Sequence, residues 1–123
     1  MATRGKLRSM KSSNAFRDFA LDQLSGVRGV RARAMFGGIG IYSGDVFFGL
    51  IASDALYLKV DDTNRARFEA AGSKTFKPYP GKPMAMPYYN VPVPVLEDTE
   101  TLTEWAKASV AVARSAKAKK PRR

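Results

Sequence analysis

The side chains that most often carry enzyme chemistry are missing from this sequence. Its 123 residues include no Cys and no His. Thiolate nucleophiles, Ser-His and Cys-His pairs, imidazole bases, disulfides and zinc clusters are therefore excluded. A Ser-Lys pair or a pair of carboxylates remains, and no spacing along the chain singles out either one. We expect no catalytic residue and no cofactor, although an all-carboxylate magnesium or calcium site stays open in principle.

The glycines of residues 37–44 resemble a nucleotide-binding loop, but a structural role fits them better. Gly38, Gly40 and Gly44 have the wrong spacing for a dinucleotide-binding motif, and no helix follows them. Gly37-Gly38 suits a hairpin turn with positive φ, and Gly40 suits a close backbone approach within a strand. We expect these glycines to shape the backbone.

Two further motifs also favour structural roles. Gly81-Lys82 is followed by Pro83, where a phosphate-binding loop needs Ser or Thr. Asp61-Asp62 stands between a predicted strand and a predicted helix, where acids cap the helix and complement its dipole. We expect no metal at this pair, because no further carboxylates cluster with it.

The net charge of +10 is concentrated at the two ends of the sequence. Residues 1–12 hold four basic residues and residues 114–123 hold six, with no acid in either, while the rest holds eleven of each sign. Such segments release counterions from nucleic acid and bind it without reading bases, although a role in solubility is equally consistent. No aromatic residue lies in them, so base stacking by the ends is not indicated. The candidate contacts are Arg4, Lys6, Arg8, Lys11, Lys117, Lys119, Lys120, Arg122 and Arg123.

Two more groups are candidates for binding macromolecules. Arg31 and Arg33, with Lys59, are expected on one face of adjacent strands, either as a basic strip for phosphate or as a solvated sheet face. Aromatic residues and methionines surround the proline-rich stretch 78–94, where they form either a partner surface or a loop folded over the sheet edge. The partner-surface candidates are Tyr79, Met84, Met86 and Tyr88, with Phe76 and Tyr89 nearby.

The elements that position these residues follow from hydrophobic periodicity. Residues 30–60 alternate in four short runs separated by Gly37-Gly38, Ser43-Gly44-Asp45 and Ser53-Asp54, which predicts a four-stranded antiparallel meander. The run VFFGLIA is apolar on both faces, as a central strand is. Phe76 begins or joins a short strand, and MPYYNVP supplies one short edge strand at most.

Three helices are expected around this sheet. They cover residues 14–25, 62–71 and 98–117. Asn14 is the expected N-cap and Gly26 the C′ residue of the first; Asp61 or Asp62 caps the second, which Gly72 ends. Asp98 caps the third, or Thr101 with Glu104 forms its capping box. The fold class is therefore α+β, with residues 1–12 as a basic arm, 13–114 as one domain and 115–123 as a basic tail.

The stretch RAMFGGIGIYSGDVFFGLIASDALYLK resembles the N-terminal domain of the TfoX/Sxy family of bacterial competence regulators. The similarity covers roughly residues 14–114 and continues in Phe76, Gly81-Lys82, Met86, Val91 and the closing helix with Leu102 and Trp105. The residues that carry the family pattern are Met35, Phe36, Gly37, Gly38, Gly40, Tyr42, Leu56, Tyr57, Lys59, Tyr88, Tyr89 and Pro92.

The resemblance implies a sheet with helices packed on it, often as a dimer, and a role in transcription. Full-length members help a cyclic-AMP-responsive activator to switch on DNA-uptake genes and carry a second, DNA-binding domain. This sequence is expected to be a single-domain member, with a basic tail where that domain would begin.

These observations lead to one preferred function and one alternative. We expect a cytoplasmic, non-enzymatic regulatory module that contacts a protein, a transcription activator or RNA polymerase, while its basic ends bind DNA. The alternative is a dimeric scaffold or small-ligand-binding protein with no nucleic-acid role. Its dimer face would combine Val46, Phe48 and Leu50 with the helix end at Ala113 and Ala116.

Overall fold

The computed structural model describes residues 13–35, 38–76 and 86–119, with the backbone alone at Met86 and Lys119. Within these ranges the chain forms one six-stranded antiparallel sheet and four helices. The fold is α+β, as the sequence predicts. In chain order the elements are α1 (Asn14–Gln23), β1 (Val30–Met35), β2 (Gly38–Ser43), β3 (Val46–Ala52), β4 (Ala55–Lys59), α2 (Arg65–Ala70), β5 (Thr75–Phe76), β6 (Met86–Asn90), α3 (Val93–Leu96) and α4 (Thr99–Lys119).

The predicted meander of β1 to β4 is confirmed, and tight turns explain its register. Gly44 has φ +61° in the β2–β3 turn, while Ser53 and Asp54 have φ +52° and +57° in the β3–β4 turn. Positive φ at both central residues, as at Ser53 and Asp54, is typical of the type I′ hairpin turn, whose twist matches that of the strands it joins. Gly38 does not turn the chain as expected, because it lies in β2 opposite Met35 of β1.

The last two strands enter the sheet out of chain order. The strand order is β1-β2-β3-β4-β6-β5, so β6 pairs with both β4 and β5. The prediction of an edge strand for MPYYNVP is therefore wrong, and the two-residue β5 with Phe76 forms the edge. Pro87 is tolerated inside the sheet because its carbonyl, and not an N–H group, makes the contact with Val60 (2.9 Å).

The helices all pack on one face of the sheet, around a single large core. Ala20 and Leu24 of α1, Phe68 of α2, Leu96 of α3 and Leu102 of α4 all belong to this core. They meet the inward side chains of the strands, which are listed here: Val30, Ala32, Ile39, Ile41, Val46, Phe48, Ile51, Leu56, Leu58 and Tyr89. Burial of these apolar side chains is the main force that holds the two layers together.

The N-cap of helix α1 lies one residue earlier than expected. Ser13, and not Asn14, is the N-cap, because its hydroxyl accepts a hydrogen bond from the Phe16 N–H at 3.0 Å. The helix ends at Gln23 with Leu24 as the C-cap, so the prediction that Gly26 is the C′ residue is also wrong.

Helix α2 is shorter than predicted, because the residues before it form a turn. Asp61 accepts hydrogen bonds from the Thr63 N–H (2.8 Å) and hydroxyl (2.6 Å), and the carboxamide of Asn64 accepts from the Asp61 N–H (2.8 Å). This local network competes with helix formation. Neither aspartate is the N-cap, which is Asn64, while Gly72 follows the helix with φ +76° as predicted.

The C-terminal helices begin at a proline and at an aspartate. Pro92 is the N-cap residue of the four-residue α3, which the sequence analysis missed among the prolines. Asp98 precedes α4, where its carboxylate accepts from the Thr101 N–H (3.2 Å) and its carbonyl from the Leu102 N–H (2.9 Å). Asp98 is thus the cap, and α4 continues to Lys119, two residues beyond the prediction.

A β-bulge in β3 separates two kinds of residue on the sheet. The register between β2 and β3 shifts at Ile41 and Tyr42, so that Phe48 and Gly49 together oppose Ile41. Phe48 and Ile51 therefore both face the helices, and Phe47 and Leu50 both face the opposite side.

In the described ranges, no helix is long and apolar enough to cross a membrane.

Candidate functional site

The face of the sheet turned away from the helices carries a second, smaller cluster of side chains. Tyr88 and Phe76 are buried there, with Phe47, Leu50 and Tyr57 packed against them. Among the described residues this cluster contains strand residues and no helix residue. We call this side of the sheet the outer face.

The pairing register sorts the outer-face residues into two rows that run across the strands. The first row follows from the pairs Arg31–Tyr42, Tyr42–Phe47 and Lys59–Tyr88. The second row follows from the pairs Arg33–Gly40, Gly40–Leu50, Leu50–Tyr57 and Tyr57–Asn90. Each row begins with an arginine on β1; the first row contains three aromatic side chains and the second contains one, that of Tyr57.

The rings of the first row touch one another. Tyr42 and Phe47 have ring centroids 5.3 Å apart at an interplanar angle of 37°, and Phe47 and Tyr88 have centroids 5.6 Å apart at 42°. These separations lie within the range of favourable aromatic pairs. Tyr57 and Phe76 form a separate pair at 4.9 Å and 60°.

Two cations of the first row are held against these rings. The guanidinium carbon of Arg31 lies 5.3 Å from the Tyr42 ring centroid, and the Arg31 Nε donates to the Gly44 carbonyl at 3.1 Å. The Lys59 ammonium lies 5.1 Å from the Tyr88 ring centroid. Cation–π attraction and the hydrogen bond hold both charges at the outer face instead of leaving them free in solvent.

Gly40 leaves room for these side chains to pack, because it has no side chain of its own. A Cβ at this position would lie 3.0 Å from the Met35 Sδ and 3.0 Å from the Phe47 Cε1. Met35 and Phe47 therefore fold over the bare backbone of β2. The close approach at Gly40 is made by side chains, and not by backbone as expected.

Burial changes the acid–base behaviour of two tyrosines of this face. Tyr88 is 3% exposed, and burial, with a smaller effect of Tyr42, raises the pKa of Tyr88 to about 12. Burial also raises the pKa of Tyr57. Both phenols therefore stay neutral at physiological pH, and they add no negative charge to the face.

The carboxylates nearest the ends of β3 are occupied by other contacts. Asp45, in the β2–β3 turn, forms an ion pair with the Lys117 ammonium at 2.7 Å, which lowers the pKa of Asp45. Asp54, in the β3–β4 turn, accepts a hydrogen bond from the Ser13 N–H at 2.7 Å. Each contact also holds one end of the described chain next to a hairpin turn.

The predicted basic strip is spread across the sheet. Arg31 and Arg33 lie on β1, but Lys59 lies on β4, with β2 and β3 between them. The expectation of adjacent strands is therefore wrong, although all three residues occupy the outer face. Aromatic rings lie between these cations, which was not expected from the sequence. Strand alternation was the signal that places Tyr42, Phe47 and Tyr57 on the same face.

Most of the other basic residues predicted to contact nucleic acid lie outside the residues that the structure describes. Lys117 is exposed near the end of α4 and pairs with Asp45, and Lys119 is described in its backbone only. The remaining candidates fall in residues that the structure does not describe: Arg4, Lys6, Arg8, Lys11, Lys120, Arg122 and Arg123.

The predicted partner surface is only partly described. Tyr79 and Met84 lie outside the described residues, and Met86 is described in its backbone only. Tyr88 faces outward beneath Lys59, whereas its neighbour Tyr89 faces inward and contacts Phe68 with ring centroids 5.7 Å apart. Two aromatic residues grouped by their sequence positions therefore lie on opposite faces of the sheet.

The residues of the family pattern divide between the two faces and the loops. Leu56 is buried in the inner core, Met35 and Gly40 lie on the outer face, and Pro92 starts α3. Phe36 and Gly37 lie outside the described residues.

The expected dimer face does not exist as one surface. Val46 and Phe48 are 4% and 0% exposed in the core under α4, while Leu50 lies on the outer face. The bulge explains the error, because it interrupts the alternation that would have placed the three together. Ala113 is also buried, at 6% exposure.

The described residues offer no group of three His, Cys, Asp or Glu side chains arranged to hold a metal ion. The arrangement that they do offer is a sheet face of aromatic rings and cations. Such faces bind macromolecules by stacking and charge.

These features define a small α+β domain with helices on one side of an antiparallel sheet and an aromatic, basic face on the other. The chain belongs to the TfoX N-terminal domain family, whose model matches residues 22–113. The family is linked to the regulation of competence and is generally regulatory and non-catalytic. No protein in the curated set that was searched matches the chain.

Proposed function

We propose that this chain is a non-enzymatic regulatory module of transcription that holds duplex DNA with its basic ends and contacts a protein with its folded body. The observation that carries this proposal is the placement of charge. All ten excess positive charges lie in residues 1–12 and 114–123, while the residues between them are balanced. Lysine and arginine without neighbouring acids bind phosphate groups and release their counterions.

Two contacts, one at Ser13 and one at Lys117, define the distance between the two ends of the folded body. Ser13 is held at the β3–β4 turn by Asp54, and Lys117 is held at the β2–β3 turn by Asp45. These turns lie at opposite ends of β3, whose seven residues extend about 20 Å. Duplex DNA rises 3.4 Å per base pair, so this length corresponds to about six base pairs. One duplex lying along the sheet can meet both ends.

The protein contact belongs to the folded body, with a transcription activator or RNA polymerase as the partner. Two large apolar side chains are conspicuously exposed on its helices, Phe19 at 40% and Val93 at 60%. Apolar side chains of this kind are frequent at the centres of protein interfaces. Replacement of both by Ser should reduce capture of the activator or polymerase from cell extract, whereas Glu97→Ala at the C-cap of α3 should leave it unchanged. Equal capture by all three chains would contradict the protein contact.

The DNA contact is tested by removing equal charge from three places. Each of three variants loses three positive charges by substitution with Gln. The first variant changes Arg4, Lys6 and Arg8. The second changes Lys120, Arg122 and Arg123. The third is the matched control on the body and changes Arg28, Lys74 and Lys107. Affinity for a random duplex is measured by fluorescence anisotropy over a series of salt concentrations.

The salt dependence distinguishes the ends from the body. The slope of log K against log salt should fall by about 0.9 for each phosphate contact that a tail variant loses. The body variant should keep the slope of the intact chain. If the tail variants keep both affinity and slope, the proposal for the ends is wrong.

A further inference from the structure

We propose that the outer face binds single-stranded DNA, with bases stacked on Tyr42 and Phe47 and phosphates held by Arg31 and Lys59. This site is formed by residues of the sheet and not by the basic ends, and it takes a different form of DNA. It goes beyond the proposed function and does not depend on it.

The rings of the first row are accessible to a stacking base. Tyr42 and Phe47 are each half-buried, so part of each ring remains at the surface. Their planes are tilted by 37°, and neither ring covers the flat face of the other completely. Stacking on aromatic side chains is the main way in which single-stranded bases are held, and every base has a flat face to offer.

The cations stand on both sides of these rings. Arg31 lies on β1 and Lys59 on β4, three strand spacings or about 14 Å apart across the sheet. Phosphates alternate with bases along a single strand, so cations flanking the rings can neutralise the backbone while the bases stack. A strand running across the sheet in this way places two or three bases on the face, as in other sheet platforms that bind single strands.

The contacts already present reduce the cost of ordering these cations. Arg31 is held by the Gly44 carbonyl (3.1 Å) and the Tyr42 ring, and Lys59 by the Tyr88 ring. A guanidinium plane stacked on a ring is itself a surface on which a base can stack. Less side-chain entropy is lost on binding when the side chain is held beforehand.

The second row extends the same surface. Arg33 is exposed on β1, and Leu50 and Tyr57 are half-buried on β3 and β4. This row gives a bound strand a further cation and a further ring beside the first row. Gly40 lies between Arg33 and Leu50, and Met35 and Phe47 fold over it, so that the ring of the first row also borders the second row.

Charge favours DNA over a second copy of this chain as the occupant. The described residues of the two rows include three cations and no carboxylate. Two copies packed through this face would bring like charges together, which is unfavourable away from water. A polyanion with flat apolar groups satisfies both the cations and the rings.

The central part of the face favours DNA over RNA. The outward side chains of the two central strands include one hydroxyl, that of Tyr42, while Phe47, Leu50 and Gly40 offer no partner for a 2′-hydroxyl. A protein gains affinity for RNA over DNA at sites where a polar group meets that hydroxyl. We therefore commit to single-stranded DNA.

The decisive experiment replaces one ring on each side of the molecule in the same way. Phe47→Leu removes the ring from the outer face and keeps an apolar side chain, while Phe19→Leu makes the identical change on the exposed surface of α1. Affinity of the full chain for a short oligothymidylate is measured by anisotropy, together with affinity for a duplex. Urea unfolding of each variant shows that it is folded.

Phe47→Leu should weaken single-strand binding about 5- to 150-fold, the range expected for loss of one stacked base. Duplex binding should not change, because the faces of paired bases are covered by their neighbours. Phe19→Leu should change neither affinity, because Phe19 belongs to the proposed protein contact and to neither DNA-binding surface. Phe47→Trp, which restores a stacking surface, should recover single-strand binding.

A second pair of variants keeps the proposal testable if Phe47→Leu does not fold. Arg31→Gln with Lys59→Gln removes two cations from the outer face, and Arg28→Gln with Lys107→Gln removes two from the remainder of the body. Only the first pair should lower single-strand affinity relative to duplex affinity.

Several outcomes would overturn the proposal. One is an equal loss of single-strand affinity in Phe47→Leu and Phe19→Leu. Another is unchanged single-strand affinity in Phe47→Leu. Tighter binding of oligouridylate than of oligothymidylate would contradict the choice of DNA. Light scattering that shows a dimer, which Phe47→Leu converts to a monomer, would assign the face to a second copy. Because the basic ends are intact in every variant, these results are separate from failure of the proposed function.

Discussion

Two glycines of β2 lie in different surroundings although both are strand residues. A Cβ at Gly38 would lie 2.7 Å from the backbone carbonyl oxygen of Ile51. At Gly40 the nearest atoms, at 3.0 Å, belong to the side chains of Met35 and Phe47. A strand carbonyl moves only with its strand, whereas the end of a methionine side chain moves easily.

We predict that Gly38→Ala destabilises the chain by about 1–3 kcal/mol, the usual cost of forcing extra atoms into packed structure. Gly40→Ala should cost less, because Met35 can move aside. Urea unfolding of both variants measures the difference. A larger loss for Gly40→Ala would show that the Met35 and Phe47 contacts, and not the Ile51 carbonyl, limit the space.

The raised pKa of Tyr88 makes stability depend on alkaline pH. Its pKa is about 12 in the folded chain against an ordinary value of 10.0, because burial disfavours the phenolate. Above pH 10 the unfolded chain loses this proton while the folded chain keeps it, so the free energy of unfolding falls as pH rises from about 10 to about 12.

We predict that the melting temperature of the intact chain decreases over this pH interval. The melting temperature of the Tyr88→Phe variant should decrease less steeply. Thermal unfolding followed by circular dichroism at several alkaline pH values measures both slopes. Tyr42→Phe serves as the comparison, since it removes a phenol from the same face. Identical slopes for the intact chain and Tyr88→Phe would argue against the burial of this phenol.

Single residues of the outer face were predictable where they depend on strand alternation. Arg31 and Arg33 stand two apart in β1, so their shared face follows from the sequence. The position of Lys59 depends on how many strands separate β1 from β4. The contact of Tyr88 with Phe47 depends on long-range pairing, which no local pattern contains.

At the scale of elements, helix α2 buries one side chain in the core, that of Phe68. Phe68 is 0% exposed, and its ring lies 4.7 Å from Trp105 and 5.7 Å from Tyr89 between centroids. A six-residue helix is not stable alone in water, so this contact decides whether α2 forms.

Phe68→Ala should destabilise the chain by about 3–5 kcal/mol, since it leaves a cavity beside two rings. Glu69→Ala, at the exposed next position, should have an effect within about 0.5 kcal/mol. Trp105 is the only tryptophan of the chain, so its fluorescence follows unfolding in both variants. A small effect of Phe68→Ala would mean that α2 is held by other contacts.

Helix α4 is joined to β4 by a buried polar contact. Ser109 is 0% exposed, and its hydroxyl donates to the Lys59 carbonyl at 2.8 Å. The carboxamide of Asn64 donates to the same carbonyl at 3.1 Å and reaches the Ser109 hydroxyl at 3.5 Å. The three groups satisfy one another inside the core.

Ser109→Ala should cost about 1–2 kcal/mol, because it removes one hydrogen bond from a buried carbonyl and leaves the carboxamide with one partner fewer. Ser115→Ala on the exposed side of the same helix is the control and should be nearly neutral. Thermal unfolding compares the two. Equal melting temperatures would show that the Ser109 hydroxyl contributes nothing to stability.

Elements made by local signals were predictable, and those made by distant pairing were not. The turns at Gly44 and at Ser53-Asp54 fix three hairpin strands from sequence alone. The insertion of β6 between β4 and β5 requires contacts far apart in sequence. Helix α3 was missed because its prolines argue against a helix unless they lie at the start.

For the whole molecule, the layered arrangement predicts unequal protection of backbone amides. Strand β3 lies between two paired strands and carries core residues on both faces. Strand β5 is a two-residue edge strand. Opening of β5 exposes little apolar surface, whereas opening of β3 exposes both clusters.

We predict that amide hydrogen exchange is slowest in β3 and the adjoining part of α4, and fastest at β5 and α3 among the described elements. Mass spectrometry of exchanged peptides measures this order. Faster exchange in β3 than in β5 would contradict the central position of β3.

The complete candidate site could not be derived from sequence, although its parts were present. Alternation indicates that strand cations share a face, and charge counting places the excess charge at the ends. The two rows need the strand register and the shift at Ile41 and Tyr42. A single extra residue changes which side chains share a face, and periodicity alone does not locate it.

The bulge also determines which shortening of β3 the fold can accept. Phe48 and Gly49 both oppose Ile41, so one residue here is surplus to the pairing. Loss of Gly49 would leave Val46, Phe48 and Ile51 facing inward and Phe47 and Leu50 facing outward, in strict alternation. Loss of Leu50 would also restore alternation, but it would put Gly49 in the place of the outward leucine. Natural length variation in this strand should therefore accumulate at the 48–49 step, where a missing residue leaves both surfaces of the sheet with their own side chains.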